Sequence, residues 1–353
     1  MTVKGLITAM VTPMRNGSID EEAVRGLVER LIQKGVNGIF ILGTNGEFHV
    51  LSREEKVKLA AMVVEYADCR VPVYAGSGGN STQEVIELSQ ALQQTGITAL
   101  SVITPFLVPL SQQELLQHYE AVADAVNIPI ILYNIPKNTG NNIEPQTAAA
   151  LACHDNIVGI KDSSGNIEQI KQYIELTREM EFAVLSGSDS LILKALKLGA
   201  KGAVAATSNL LTDIDVAIIR YFEQGKLAEA QMMQEKIEPL RKVLKLGSIP
   251  SVLKATMNMA GIAAGECRKP SLCRMRLYWL KFGKCCSTMC RKERCNMFKA
   301  DIVNRMEACG AMAIVRTESI ERGKEIARGC LQGGVDVMEI SYTSPMQEMS
   351  LRH

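Results

Sequence analysis

A lysine at the end of an apolar run is the first residue in this chain that could carry out chemistry. Lys161 follows the apolar residues 157–160, and the Asp-Ser-Ser-Gly sequence at 162–165 is typical of a turn. A strand that is buried on both faces seldom ends on a cation. Because burial lowers the pKa of a lysine, a buried lysine can form a Schiff base with a carbonyl substrate. The alternative is a structural lysine whose ammonium group reaches solvent along its apolar stem.

Two further positions carry groups that could act with this lysine. Tyr133 ends another apolar run, and Gly43 and Gly46 bracket a turn that contains Thr44 and Asn45. The backbone N–H groups of such a turn can hold a carboxylate. Taken singly, the turn could be a simple βα connection, and the tyrosine could be a core residue. Together, a lysine, a tyrosine and an anion-binding turn at three strand ends would converge on a small space.

The elements that must position these groups alternate along the first 225 residues. Eight short apolar runs are separated by amphipathic segments, which predicts an α/β fold and a (β/α)₈ TIM barrel over residues 1–224. A doubly wound sheet is the alternative, but no Gly-x-Gly-x-x-Gly sequence follows the first run. The active site of such a barrel lies at the carboxyl ends of its strands. The predicted strands are 5–11, 38–42, 71–75, 99–103, 128–133, 157–161, 182–186 and 202–205.

Helix-start signals lie between these runs. Asp20 is a predicted N-cap, and Ser-x-x-Glu patterns that begin at Ser52, Ser81 and Ser111 predict capping boxes. After the barrel, residues 225–270 are predicted to form a small C-terminal helical region, with one helix at 249–264.

Length and charge exclude several classes of protein. The 353 residues carry 39 Lys and Arg against 38 Asp and Glu, a formal net charge of +1, so no nucleic-acid partner is expected. No apolar run is long enough to cross a bilayer, and residues 1–10 do not resemble a signal peptide. We therefore expect a cytoplasmic protein without a membrane partner.

The cysteines divide the chain unevenly. Two of the ten lie in the first 266 residues, which is typical of an enzyme from a reducing compartment. The barrel segment contains no cluster of His and Cys with metal-ligand spacing, so no metal is predicted there. We interpret its three histidines as structural: His49, His118 and His154.

Three motifs in this order resemble the dihydrodipicolinate synthase/N-acetylneuraminate lyase family of pyruvate-dependent class I aldolases. They are Gly-Thr-Asn-Gly-Glu at 43–47, Tyr-Asn-Ile-Pro at 133–136 with Thr-Gly at 139–140, and Gly-Ile-Lys-Asp-Ser-Ser-Gly at 159–165. The resemblance covers about residues 3–270. It implies a barrel enzyme without cofactor or metal that acts on pyruvate and an aldehyde, and that assembles as a homotetramer.

The resemblance also implies roles for individual positions. Lys161 would form the Schiff base, and Tyr133 would move protons between imine, substrate hydroxyl and carboxylate. The Thr44 hydroxyl would contact Tyr133 and take part in catalysis. The remaining positions would bind substrate, through the turn's backbone N–H groups, an amide side chain or backbone carbonyls: Gly43, Thr44, Asn45, Asn138, Gly187 and Ala205.

Two positions depart from the best-understood relatives. Asn138 stands where the synthases carry an arginine that binds the carboxylate of the aldehyde partner, and asparagine offers no charge and no bidentate fork. Lys137 could replace that charge. Leu107 stands where many members place a tyrosine that crosses a subunit interface to extend the proton relay. A leucine cannot relay a proton.

These departures lead us to expect an aldolase that reversibly cleaves a 2-keto-3-deoxy sugar acid to pyruvate and an aldehyde. The first alternative is 4-hydroxy-tetrahydrodipicolinate synthase, which condenses pyruvate with aspartate semialdehyde. A Schiff-base keto-acid dehydratase and a non-catalytic pyruvate-binding barrel are further alternatives.

The last quarter of the chain differs in character. Residues 271–296 contain seven Lys or Arg, one acid and five cysteines, without helical periodicity. A metal knuckle finds little support there, because histidines and paired C-x-x-C arms are missing. A basic nucleic-acid arm finds little support either, because the segment has one Trp and no repeat. Residues 297–343 resemble the start of 2-keto-3-deoxy-6-phosphogluconate aldolase, and Glu339 matches its catalytic carboxylate. The fragment 297–353 lacks that family's lysine and is expected to be non-catalytic. We hypothesise that 271–296 is an aberrant, out-of-frame junction.

Overall fold

The structure is a computed structural model, and it describes residues 3–271, 313–317, 325 and 338–342. By its internal contacts the chain divides into two compact units, Met1–Cys285 and Cys286–His353. The predicted basic, cysteine-rich junction at 271–296 lies outside the described residues, except for Ser271.

The first unit contains a closed barrel of eight parallel strands. The barrel strands are β1 (Gly5–Ala9), β4 (Gly38–Ile41), β5 (Val73–Ser77), β6 (Ala99–Ile103), β7 (Ile130–Asn134), β8 (Ile157–Asp162), β9 (Ala183–Ser186) and β10 (Gly202–Ala205). Their order around the barrel is β1-β10-β9-β8-β7-β6-β5-β4, and β4 pairs with β1 to close the ring. Each barrel strand is bordered by its neighbours in the sequence, and this confirms the predicted (β/α)₈ fold.

Two of the predicted strands were placed too early in the sequence. The predictions at 71–75 and 128–133 correspond to β5 and β7, which begin at Val73 and Ile130. Each begins directly after a proline, Pro72 or Pro129. Proline has no N–H group to donate, so it contributes only its carbonyl to the neighbouring strand. The predicted first strand, 5–11, ends sooner, at Ala9.

Twelve α-helices, two short 3₁₀ helices (Phe48–Val50 and Asp189–Leu191) and one hairpin complete the described part of this unit. The hairpin consists of β2 (Met14–Arg15) and β3 (Ser18–Ile19). The helices are α1 (Glu21–Gln33), α2 (Arg53–Ala67), α3 (Thr82–Gln93), α4 (Gln112–Asp124), α5 (Pro136–Thr139), α6 (Pro145–Leu151), α7 (Ile167–Leu176), α8 (Ile192–Leu198), α9 (Ser208–Glu223), α10 (Leu227–Lys236), α11 (Glu238–Leu244) and α12 (Ser251–Met259).

Most of the predicted caps are present. Asp20 caps α1, and complete capping boxes begin α2 at Ser52 and α4 at Ser111. The box predicted at Ser81 is only half formed. Ser81 accepts the backbone N–H of Glu84, but the Glu84 carboxylate lies beside Gly79 instead of returning to the cap.

The predicted helical region at 225–270 holds α10, α11 and α12. The helix predicted at 249–264 is shorter, because α12 ends at Met259 and Gly261 follows with a φ of +75°. A positive φ ends a helix at little cost when the residue is glycine. Within the described part of the chain, no helix is long and apolar enough to cross a membrane.

In the second unit the structure describes two strands, β11 (Ala313–Thr317) and β12 (Met338–Tyr342), which pair in parallel. Glu339 lies opposite Ile314 in this pair. Most of the fragment that resembles a second aldolase, 297–343, lies outside the described residues, and the domain boundaries within 225–353 stay a prediction.

Candidate active site

Lys161 and Tyr133 lie side by side at the carboxyl ends of neighbouring strands. The register of β7 and β8 places Tyr133 opposite Lys161, and both side chains are about 4% exposed. Successive residues in a strand point to opposite faces of the sheet. Because Tyr133 and Lys161 are paired, their side chains point to the same face. A lysine this well buried is not the solvent-reaching structural lysine considered above.

Aromatic rings surround the Lys161 amine. Its Nζ lies 3.8 Å from the centre of the Tyr133 ring and 4.6 Å from that of Phe40. Phe40 meets Tyr133 edge to face, with ring centres 6.1 Å apart. The two rings form one wall of the space around the amine. Phe40 was not among the predicted site residues, although its position in β4 gave it an inward face.

The Tyr133 hydroxyl is paired with Thr44. The two oxygen atoms are 3.2 Å apart, and either can donate the hydrogen bond. Thr44 is half-buried, so the pair connects the buried tyrosine to the mouth of the barrel. This contact has the geometry that the family resemblance implies for these two residues.

The turn that contains Thr44 is held in a tight, specific shape. Leu42 and Glu47 flank it, and both have a positive φ, +57° and +59°. A Cβ atom at Gly46 would lie 2.9 Å from the Leu42 nitrogen, so only glycine fits there. From outside, the Thr12 hydroxyl donates a hydrogen bond of 2.7 Å to the Gly46 carbonyl.

Gly43 and Asn45 complete this turn. A Cβ at Gly43 would lie 2.6 Å from the Phe40 ring, which forms part of the wall beside Lys161. The Oδ1 atom of Asn45 is buried and has no hydrogen-bond partner among the described residues. A buried polar atom without a partner is costly in a folded protein, and it is suited to meet a ligand.

Gly187 lies against Lys161 on the opposite side. A Cβ there would be 2.1 Å from the Ser163 hydroxyl oxygen and 3.1 Å from Lys161 Cε. Its N–H donates 2.7 Å to the Asp162 carbonyl. Ala205 ends β10, and the Asp189 carboxylate fixes the chain just beyond it through the N–H of residue 206.

Below these residues, the barrel interior encloses a small cavity beneath the amine. The Ser101 hydroxyl lies at this cavity and has no hydrogen-bond partner in the described part of the chain, although the residue is only 3% exposed. The residues that line the cavity are Ile7, Phe40, Tyr74, Ser101, Ile131, Lys161, Leu185 and Val204.

The two departures from the family motifs lie at the surface. Asn138 and Lys137 are both exposed on the short helix α5, which directly follows β7. Leu107 is 85% exposed and has a φ of +83°. Residues other than glycine rarely adopt this backbone conformation. Neither Asn138 nor Leu107 is part of the buried group around Lys161.

A polar network behind the strands was missed in the sequence. The Asn134 amide donates 2.8 Å to the Asp162 carboxylate, and Gln169 and Ser164 donate to the same carboxylate. Burial raises the pKa of Asp162, and these hydrogen bonds oppose that rise. Asn134 and Asp162 directly follow Tyr133 and Lys161. The alternation of a strand would therefore have predicted that they lie together on its outer face.

A buried lysine at the carboxyl end of a closed (β/α)₈ barrel is an arrangement typical of lyases of the aldolase type. Family comparison narrows this class. Residues 2–278 match the profile of the Dihydrodipicolinate synthetase family, and the chain belongs to that family. It is a carbon–carbon lyase that uses a lysine Schiff base.

Individual relatives agree with this assignment. The chain is 40% identical to the 4-hydroxy-tetrahydrodipicolinate synthase of Syntrophus aciditrophicus over 267 residues, which are 76% of this chain and 91% of the relative. A dihydrodipicolinate synthase crystal structure from Thermotoga maritima is 31% identical, with a TM-score of 0.79, over 82% of this chain and 99% of that one. A chloride-inhibited synthase from Acinetobacter baumannii, complexed with pyruvate, is 33% identical, with a TM-score of 0.78, over 81% of this chain and 98% of that one.

Proposed function

We propose that this chain is a 4-hydroxy-tetrahydrodipicolinate synthase, which condenses pyruvate with aspartate semialdehyde. The observation that carries the chemistry is the buried Lys161 amine beside Tyr133, whose hydroxyl is paired with Thr44. The relatives quoted above support the synthase over the sugar-acid aldolase that the motif departures led us to expect, because they are named as synthases.

In this proposal Lys161 is the nucleophile. The Nζ lone pair adds to the C2 carbonyl carbon of pyruvate, and loss of water leaves an iminium ion. The iminium withdraws electrons, so a proton leaves C3 and an enamine forms. C3 of the enamine then attacks the aldehyde carbon of the second substrate. The amino group of that substrate finally adds to C2, which closes the ring and releases Lys161.

Tyr133 and Thr44 move the protons in these steps. The Tyr133 ring lies on the Lys161 amine and its hydroxyl is 3.2 Å from Thr44, so one phenol reaches both the imine region and the mouth of the barrel. A positioned acid–base group of this kind accelerates proton transfer by about 10²- to 10⁴-fold.

The turn at 43–46 binds the pyruvate carboxylate. Its tight shape turns backbone N–H groups of Thr44 and Asn45 toward the ligand, as in other backbone anion sites. Pyruvate anchored there and covalently at Lys161 has two fixed ends. Gly187 lies against Lys161 Cε without a side chain. We expect its backbone carbonyl to line the substrate pocket, as the family resemblance implies.

The first experiment tests the Schiff base itself. Borohydride reduction in the presence of pyruvate should add a stable mass to the protein, located at Lys161 by peptide mass spectrometry. Lys161→Ala should remove the adduct, whereas Lys171→Ala, an exposed lysine on α7, should keep it. Absence of an adduct on the unaltered chain would refute the assignment.

A second experiment tests the aldehyde partner. Aspartate semialdehyde carries a carboxylate, and Lys137 on α5 supplies the positive charge that Asn138 lacks. Lys137→Met should therefore raise the KM for aspartate semialdehyde and leave the KM for pyruvate unchanged. No consumption of aspartate semialdehyde by a chain that does trap pyruvate would reject the synthase.

One observation favours a second candidate, the reversible cleavage of a 2-keto-3-deoxy sugar acid. Asn138 is neutral and exposed beside the site, and its amide suits the hydroxyl groups of a sugar-derived aldehyde better than a carboxylate. Pyruvate release from keto-deoxy acids, measured beside the synthase assay, distinguishes the two. Asn138→Arg should reduce this cleavage if the asparagine binds hydroxyl groups.

A further inference from the structure

A fully buried ion pair lies directly behind the turn at 43–46. Lys254 Nζ is 2.5 Å from Glu47 Oε1, and the two side chains are 0% and 1% exposed. Glu47 is the residue that follows the turn, and Lys254 lies in the middle of α12. Lys254 also donates 2.9 Å to the Glu266 carbonyl. One ammonium group therefore joins the turn, α12 and the segment after α12.

The segment after α12 contacts the same carboxylate. The backbone N–H of Arg268 donates 2.8 Å to Glu47 Oε2, so both oxygens of Glu47 have partners. The Arg268 guanidinium donates 2.7 Å to each oxygen of Glu55 and 2.9 Å to the Val50 carbonyl. It also donates to the Gly17 carbonyl in the β2–β3 hairpin.

These contacts act on the turn through its backbone. Glu47 has the left-handed φ of +59°, and its N–H donates 3.2 Å to the Thr44 carbonyl. On the other side, Thr12 holds the Gly46 carbonyl. The Thr12 hydroxyl on one side and the Glu47 carboxylate, held by Lys254, on the other thus fix the turn, and none of these three residues lines the cavity around Lys161.

Stability alone is a weak reason for such a pair. Removing two charges from water carries a large desolvation cost, and a well-packed apolar pair of similar volume is often as stable or more stable. The pair does supply a fixed direction, because a carboxylate with one ammonium and one N–H partner has a single favoured position.

We infer that Lys254 and Glu47 are positioning residues for the anion-binding turn, and that they set the affinity for the keto-acid carboxylate. Lys254 does not touch the substrate and acts through Glu47 and the backbone at 44–46. This inference rests on the proposed role of that turn in binding pyruvate. It predicts that disturbing the pair weakens pyruvate binding while the chemistry after binding proceeds at a near-normal rate.

Glu47→Asp is the mildest test. It keeps the charge but shortens the side chain by one methylene, so the carboxylate cannot reach both Lys254 and Arg268 unless the turn moves. We expect the pyruvate concentration for half-maximal borohydride trapping, and the KM for pyruvate, to rise at least fivefold. kcat and the KM for the aldehyde should change less than twofold.

The double variant Glu47→Met/Lys254→Met removes both charges together and leaves no unpaired buried ion. It should keep the fold, measured as a cooperative thermal transition, and yet show the same rise in the half-maximal pyruvate concentration. Lys242→Met, an exposed lysine on α11, is the matched control and should behave as the unaltered chain does.

The outcomes separate this inference from the proposed function. If the unaltered chain gives no pyruvate adduct, the proposed function fails and this inference fails with it. If the unaltered chain is trapped and the folded variants have an unchanged half-maximal pyruvate concentration, only the positioning role is refuted. An equal loss of kcat and of affinity for both substrates would show a general structural role and would also refute it.

Discussion

Among single residues, Gly187 is the most restricted in the side chain that it can carry, because its backbone lies against Lys161. Gly187 leaves no room for a methyl group, since a Cβ would lie 2.1 Å from the Ser163 hydroxyl and 3.0 Å from the Asp162 carbonyl. The latter is a backbone atom on the strand that carries the lysine, so it cannot yield without moving that strand.

We therefore expect Gly187→Ala to lower the yield of the borohydride–pyruvate adduct by at least tenfold. Gly26→Ala is a suitable control, because a Cβ at Gly26 in α1 has no neighbour within 4 Å. Normal trapping by Gly187→Ala would mean that β8 and β9 separate more easily than their packing indicates.

Tyr133 provides the second test at this scale. Tyr133→Phe keeps the ring on the amine and removes the hydroxyl that pairs with Thr44. We expect kcat to fall by about 10²-fold or more, because the general acid–base group is lost. Steady-state rates measure this, and a kcat within twofold of the unaltered chain would contradict the proton-transfer role.

At the scale of elements, an ion pair between Arg268 and Glu55 joins the segment after α12 to the start of α2. Hydrogen bonds from the Arg268 guanidinium lower the pKa of Glu55 to about 2, from an ordinary value of 4.5. A carboxylate with a lowered pKa stabilises the folded state above its ordinary pKa. That stabilisation is lost as the pH falls from about 4.5 toward 2.

Arg268→Ala should therefore lower Tm at pH 7, and the difference from the unaltered chain should narrow as the pH falls below about 4.5. The backbone N–H to Glu47 remains in this variant, so the effect isolates the guanidinium. Arg53→Ala removes a more exposed pair with Glu87 and should change stability by less than about 0.5 kcal/mol. A pH-independent difference would exclude the Glu55 contact as its source.

His118 couples α3 and α4, and its contribution to stability changes over a higher pH interval than that of Glu55. Its ring nitrogen is 2.9 Å from the Thr82 hydroxyl, and burial lowers the pKa of His118 to about 4. The unfolded chain binds a proton near pH 6.5 and the folded chain does not, so stability falls as the pH drops from about 6.5 toward 4.

We expect this histidine to contribute roughly 1–2 kcal/mol of destabilisation between pH 7 and pH 5. His118→Gln keeps a hydrogen-bonding group and removes the titration, so its free energy of unfolding should vary less over this interval. Denaturant unfolding at the two pH values measures the free energy of unfolding. The same change in this free energy between pH 7 and pH 5 in both proteins would contradict the assignment.

For the whole molecule, the sequence was most informative where local pattern and global fold coincide. Apolar runs that end in polar residues predicted the barrel, and the strand-end rule then brought Lys161, Tyr133 and Thr44 together correctly. Boundaries at Pro72 and Pro129 were misplaced, because apolar character continued across a residue that cannot donate to the ladder.

Contacts without a local pattern could not be predicted. Lys254 follows Glu47 by 207 residues, and no periodicity connects them. The contact between Asn134 and Asp162 could have been predicted from strand alternation. It was missed because the apolar pattern of a strand indicates only its inner face.

The segment after the barrel provides a genetic prediction. The family match ends at residue 278, shortly after the contacts of Arg268. If 271–296 is an out-of-frame translation, sequencing the coding DNA across codons 265 to 300 should reveal an inserted or deleted base relative to close relatives. An uninterrupted frame shared by those relatives would reject the hypothesis.

The ion pair between Glu47 and Lys254 also determines when, during synthesis of the chain, the active site can be completed. A ribosome adds about 5 to 20 residues per second, so the 207 residues between the two partners take roughly 10 to 40 seconds to synthesise. Throughout that interval the nascent chain contains the turn and, once residue 161 has been added, Lys161. It does not yet contain Lys254, which we infer holds the turn in position. Competence to bind a keto acid would therefore arise only as the last part of the enzyme domain emerges.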